Sequence, residues 1–279
     1  MNMTSPACVD FHTPASFITA ACGCPPAPGR PALLLIDGAR EPRLDHWVSR
    51  RPDEAWFSLT GAKPGTTLFA RSPLLVELPP GPPDLFVTSL LNPPAHPRAA
   101  SVLHSSVGVQ ELGEHMRAHL YVSEADGTTW GLAIWDPFVL AALAGSARPI
   151  NALVTDPILR PAQIASLLTP FECWAFRHRD GLPCAIALPL PGADIEPPPF
   201  VIEAWQWEQL VDLPIPDRVA ELLRQSYPEL REDAVEEMLL RFCATAIREC
   251  RTQGRDGLAA YSEWAAKALS EALSERGLR

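Results

Sequence analysis

Apolar and polar residues alternate along residues 119–135, HLYVSEADGTTWGLAIW, and the period then changes to a helical one through DPFVLAAL. Asp126-Gly127 sits between the two extended runs, and both residue types accept the positive φ that a tight hairpin turn requires. The second run, residues 130–135, ends at Asp136-Pro137. An Asp side chain caps free helical amides and Pro suits the first helical position, so strand is expected to give way to helix at Asp136.

The same reading extends along the chain. An uninterrupted apolar run over residues 32–36, closed by Asp37-Gly38, predicts a buried strand of a parallel or mixed sheet. Further strands are expected at 56–59, 74–78, 101–105 and, around a second Asp-Gly turn at Asp180-Gly181, within 173–190. Helices are expected at 42–50, 84–91, 109–120 and 161–168. From residue 217 on, the pattern is wholly helical: 217–227, 231–253 and 256–276, with Gly254 and Gly277 suited to helix ends.

Strand and helix alternate first and helices alone follow, which predicts an α+β protein. A mixed α/β lobe with a central mixed sheet is expected over 31–199 and an all-helical lobe over 200–279, divided by the Pro-rich stretch 189–199. Residues 1–30, rich in Pro and ending in the breaker run 25–29, predict a flexible arm.

Composition narrows the function. The net charge of -10 and the absence of a basic block argue against a nucleic-acid binder. No apolar run approaches the ~20 residues of a membrane span. Only Lys63 and Lys267 among the 23 basic residues are lysines, a bias that suits a high-GC genome. Seven cysteines in a chain with a normal core suit a reducing compartment better than a disulfide scaffold. The first residues lack a basic stretch ahead of an apolar one, so cytoplasmic residence is expected.

Candidate chemistry is sparse. Asp37 ends a hydrophobic strand, where α/β enzymes place a nucleophilic carboxylate, but Ala39 stands where a second carboxylate is needed; an Asp that binds backbone amides is the simpler reading. His115 and His119 lie one helical turn apart, yet the order Glu-His-x-x-x-His lacks the internal Glu of a zinc protease, and solvated helix histidines are expected. Cys22-Gly-Cys24 has neither the Cys-x-x-Cys spacing nor a partner pair. Trp205 and Trp207 share a face if their segment is extended, either as core or as anchors for a partner. No cofactor and no metal is expected.

Taken in order, LLLIDGAR (33–40), SPLLVEL (72–78), the ELGEHMRAHL helix (111–120) and WDPFVL (135–140) resemble the type VI secretion effector chaperone or adaptor family, long catalogued as a domain of unknown function. The resemblance spans residues 31–143. It aligns Asp37, Gly38 and Arg40 with the family's opening strand and turn, Ser72, Pro73 and Glu77 with its second strand, and Trp135, Asp136 and Pro137 with its aromatic-Asp-Pro corner. Two departures stand out: Ala133 and Phe138 replace arginines flanking that corner, and Asp156-Pro157 replaces a Gly-Pro. The resemblance implies a non-enzymatic protein of a Gram-negative cytoplasm that binds a cognate toxin effector and helps load it onto a VgrG or PAAR spike protein. The rival reading is a small hydrolase or transferase using Asp37 with His115 or His119.

Overall fold

The computed structural model describes residues 11, 13–23, 30–92, 95–146, 148, 153–154, 156–189, 192–227 and 236–275. Cys24, the breaker run 25–29, the start of the expected 231–253 helix and Gly277 lie outside them. The chain runs α1 (Pro14–Cys22), β1 (Leu33–Asp37), α2 (Leu44–Val48), β2 (Trp56–Ser58), β3 (Pro73–Glu77), α3 (Leu85–Leu91), β4 (Ala100–Ser105), α4 (Val109–Ala118), β5 (Tyr121–Ser123) and β6 (Thr129–Gly131). Then follow α5 (Pro137–Ala144), α6 (Pro161–Leu168), β7 (Phe171–Arg177), β8 (Pro183–Ala185), β9 (Phe200–Val201), α7 (Ala204–Asp212), α8 (Ile215–Ser226), α9 (Glu236–Thr252) and α10 (Leu258–Glu275). The fold is α+β.

The main sheet has the order β2-β3-β1-β4-β7-β8. Every neighbouring pair in it is antiparallel. The apolar run of β1 therefore does not come from parallel pairing. It comes from burial on both faces: Leu33 and Leu35 join a core with Leu75, Leu103, Trp174 and Phe176 under α4, α5 and α6. Leu34 and Ile36 join a second core with Leu74, Val76 and Val102 under α1, α2 and α3. Helices on both faces impose the same all-apolar pattern that parallel strands show. Parallel pairing occurs instead in the small sheet β6-β5-β9, between β5 and β9.

Part of the expected flexible arm is core. Thr13 caps α1 through a reciprocal box with Ser16, and Phe17 and Ile18 are buried in the second core. The pattern hid this helix because only nine residues separate its cap from Gly23, where φ is 73°. The change from sheet to helices also falls later than residue 200. Phe200 is in β9, and α7 packs Trp207 and Leu210 on the first core, whereas α8, α9 and α10 enclose a separate core of Val219, Leu223, Ile247, Tyr261 and Ala265.

The segment holding Trp205 and Trp207 is helical rather than extended. Glu203 and Gln206 form a capping box that starts α7, and residues two apart on a helix point to different sides. Gln206 then buries its amide, donating to Ile158 O (2.9 Å) and to Gln163 Oε1 (2.9 Å). Gln163 in turn donates to Glu196 Oε1 (3.0 Å). Both Gln side chains are wholly buried, so this relay is satisfied throughout and pins α7 to α6. Among the described residues no helix is long and apolar enough to cross a membrane.

Candidate functional site

Asp37, Gly38, Arg40, Ser72 and Pro73 meet at one end of the β1–β3 ladder, with the charge of Asp136 close to Asp37, whereas Glu77 lies at the other end. Antiparallel register sets Asp37 opposite Pro73 and Leu33 opposite Glu77. Pro73 opens its strand, a position that tolerates a missing N–H. Gly38 donates to Ser72 O (3.2 Å), and a Cβ at Gly38 would lie 2.6 Å from that same oxygen, so close approach explains the glycine. Ser72 Oγ donates to Leu68 O (2.7 Å) and contacts Thr60 Oγ1 (2.6 Å). These are joints of the backbone.

Asp37 is buried at the end of β1, and its Oδ1 accepts from the Ala39 amide (3.0 Å) while Oδ2 pairs with Arg40 Nε (3.3 Å). Burial holds its carboxyl above the usual range, opposed by the Ala39 amide and by Arg40, while the charge of Asp136 adds to the rise. Asp136 itself caps α5, accepting from Phe138 N (3.0 Å). Its other oxygen accepts from Arg98 Nε (2.7 Å).

Arg98 is the hub that sequence gave no sign of. It also donates to Asp217 Oδ2 on α8 (3.1 Å), and Asp217 Oδ1 pairs with Arg179 Nη1 (2.9 Å). Burial by itself would lower the pKa of Arg98, but Asp136 and Asp217 raise it above the ordinary arginine value. Both guanidiniums lie over the Phe138 ring, at 5.5 Å and 4.4 Å. Phe138 thus serves as a platform for both arginines.

This ionic chain forms one rim of a groove of about 280 Å³ between the small sheet, α5, α7 and α8. Val122, Leu132 and Phe138 line it, and Trp130 and Trp207 face each other across 4.9 Å. The space holds one or two large apolar side chains. Trp130 is 42% exposed and donates its Nε1 to Glu124 Oε1 (2.6 Å).

The groove borders a free sheet edge. β6 has only β5 as a neighbour among the described residues. Leu132 N donates to Leu120 O (2.6 Å) and Glu124 N to Thr128 O (2.9 Å), so alternation makes Val122 and Trp130 a hydrogen-bonded pair and leaves the backbone groups of Thr129 and Gly131 facing outward. Proteins guard such edges with Lys, Pro, bulges or very short strands; Thr-Trp-Gly has only its three-residue length and no Lys, Pro or bulge. The strand expected over 130–135 stops at Gly131, because the chain turns from Ala133 to Asp136 (3.0 Å) to enter α5.

The remaining candidates fall elsewhere. His115 and His119 are not solvated: His119 is 2% exposed, its Nδ1 donates to His115 O (2.8 Å), and Ser166 Oγ lies 3.2 Å from its Nε2. Burial pushes the His119 pKa down to about 4. His115 Nε2 donates to Leu167 O (2.9 Å). The hydrogen-bond partners of these imidazoles, on α4 and α6, do not overlap those of Asp37, so no paired acid and base forms there. Trp205 is 40% exposed, with its Nε1 donating to Glu203 (2.8 Å) outside the groove. Among the described residues no three or more His, Cys, Asp or Glu side chains are placed to hold a metal ion.

A family model described as a domain of unknown function (DUF4123) matches residues 33–151. No curated protein and no solved structure matches the chain.

Proposed function

From a chain whose residues 33–151 belong to the DUF4123 family, of the type VI secretion effector chaperone or adaptor type, we propose a protein that acts by holding another protein. It binds a cognate toxin effector in the cytoplasm and presents it to a VgrG or PAAR spike, without making or breaking a covalent bond. The observation that carries this reading is the half-exposed Trp130 on an open edge strand beside an apolar groove. An extended effector segment adds to β6 through the outward backbone groups of Thr129 and Gly131, and seats an apolar side chain in the groove against the Trp130–Trp207 ring pair.

The two regions divide the work. The α/β region supplies the platform, and α8, α9 and α10, which begin at the groove's far wall, set effector choice. A chain ending at Leu213 keeps the residues of both sheet cores, so it is the proper truncation. Co-expression with the products of the neighbouring reading frames tests the reading: the full chain should co-purify with a toxin among them, and the truncated chain should lose most of it. Undiminished capture by the truncated chain would refute the division of labour, and failure of the full chain to capture the toxin would refute the adaptor role.

A further inference from the structure

The N-terminal helix meets the central sheet through two cysteines. Cys22 is in the last turn of α1, one turn beyond the buried Ile18, so it lies on the stripe that faces the sheet. Cys173 is on β7 and belongs to the core that α1 covers. Their Sγ atoms are 2.7 Å apart, across 151 positions of sequence. Cys173 is 8% exposed, whereas Cys22 is half-buried and open to reagents.

From this juxtaposition we infer that Cys22 and Cys173 form a redox latch, a disulfide that fastens α1 to the main sheet when the protein meets a low-molecular-weight disulfide. The Cys22 thiolate attacks the small disulfide, whose S–S bond breaks to expel one thiol and leave a mixed disulfide on Cys22. Cys173 then attacks Cys22 Sγ and expels the second thiol. Two protein thiols are oxidised, one disulfide is reduced to two thiols, and those two thiols carry away both protons. A disulfide needs its sulfurs at about 2.05 Å, so the pair closes with a small side-chain movement.

Cys243 is fully buried among the C-terminal helices, and burial pushes its pKa up to about 12, which suppresses the thiolate. In contrast, the hydrogen bond from Cys173 holds Cys22 below the ordinary cysteine value. Closing the bond covers the strip of sheet formed by Cys173, Ala175 and Val102 with a helix that can no longer lift.

The test uses the full chain and glutathione disulfide. Denaturing thiol titration should fall from seven thiols to five, and peptide mapping should recover residues 22 and 173 in one cross-linked pair. Amide exchange across residues 14–22 should slow at least tenfold in the oxidised protein. Cys173→Ser should retain a mixed disulfide on Cys22, and Cys22→Ser should give neither product; equal melting temperatures of the reduced variants and the parent show that both fold. Seven intact thiols, a cross-link to another cysteine, or unchanged exchange across α1 would each overturn the latch.

Discussion

The α/β region and the C-terminal helices are stabilised in different ways. The first buries Trp174, Phe176, Phe138 and a row of leucines on two faces of one sheet, and it ties its helices down with buried polar relays such as Gln206–Gln163–Glu196. The second mixes Val219, Leu223, Leu239, Leu240 and Ile247 with small side chains, Ala220, Ala246, Ala265, Cys243 and Cys250, around Tyr261, and its charged contacts lie nearer solvent. Between them run two charged seams, Asp217 with Arg98 and Arg179, and Asp212 with Arg251. A platform fixed by large apolar contacts and an attachment reinforced by a few ion pairs suit the proposed division between a presenting half and a discriminating half.

The largest expected effect lies on the platform. Asp136→Ala removes a helix cap and leaves the buried Arg98 with one partner fewer, so unfolding by denaturant should show a loss of about 3–5 kcal/mol. Acid comes next. His119 is neutral in the fold, with a pKa of about 4 against 6.5 when unfolded, so the unfolded chain takes up its proton first as pH falls. Stability from this group is complete above pH 6.5 and declines by about 3 kcal/mol as pH falls to about 4. His119→Gln should flatten that part of the stability-against-pH curve. An unchanged slope would assign the loss to other groups.

Gly38→Ala should cost about 1–3 kcal/mol, since its new Cβ meets the Ser72 carbonyl rather than a movable side chain. The smallest effect belongs to the seam: Arg251→Ala breaks two 2.7 Å bonds to Asp212 on a third-exposed side chain, and about 1 kcal/mol is expected. Amide exchange should place that loss in α8, α9 and α10 while α7 and the sheet keep their protection. A uniform loss over the whole chain would erase the contrast between the two regions.

Much of the platform was legible because its signals are local. Asp126-Gly127, Asp136-Pro137 and Asp180-Gly181 mark two hairpins and a helix start, although in both hairpins the glycine alone takes positive φ, 86° at Gly127 and 83° at Gly181, and the β1 run marks burial regardless of strand direction. Direction itself was not legible, because helices on both faces give antiparallel strands an all-apolar pattern. The site was legible in its parts only. Asp37, Gly38, Ser72, Pro73 and Asp136 sit in recognisable local stretches, but Arg98, Arg179 and Asp217 come from three distant segments with no shared local mark. Trp130 was visible beside its turn, yet a half-exposed edge position and a buried one look alike in a short alternating run. Trp205 and Trp207 were misread because a capping box at Glu203 and Gln206 outweighs the alternation of two aromatics.

Binding of the toxin captured by co-expression to the purified chain, compared with binding to Trp130→Ala by calorimetry, tests the central claim most directly. The substitution sits on the edge strand and is expected to leave the melting temperature of the main sheet unchanged while removing about 2 kcal/mol of binding, roughly a 30-fold loss. Equal affinity of the two proteins for the toxin would contradict the account.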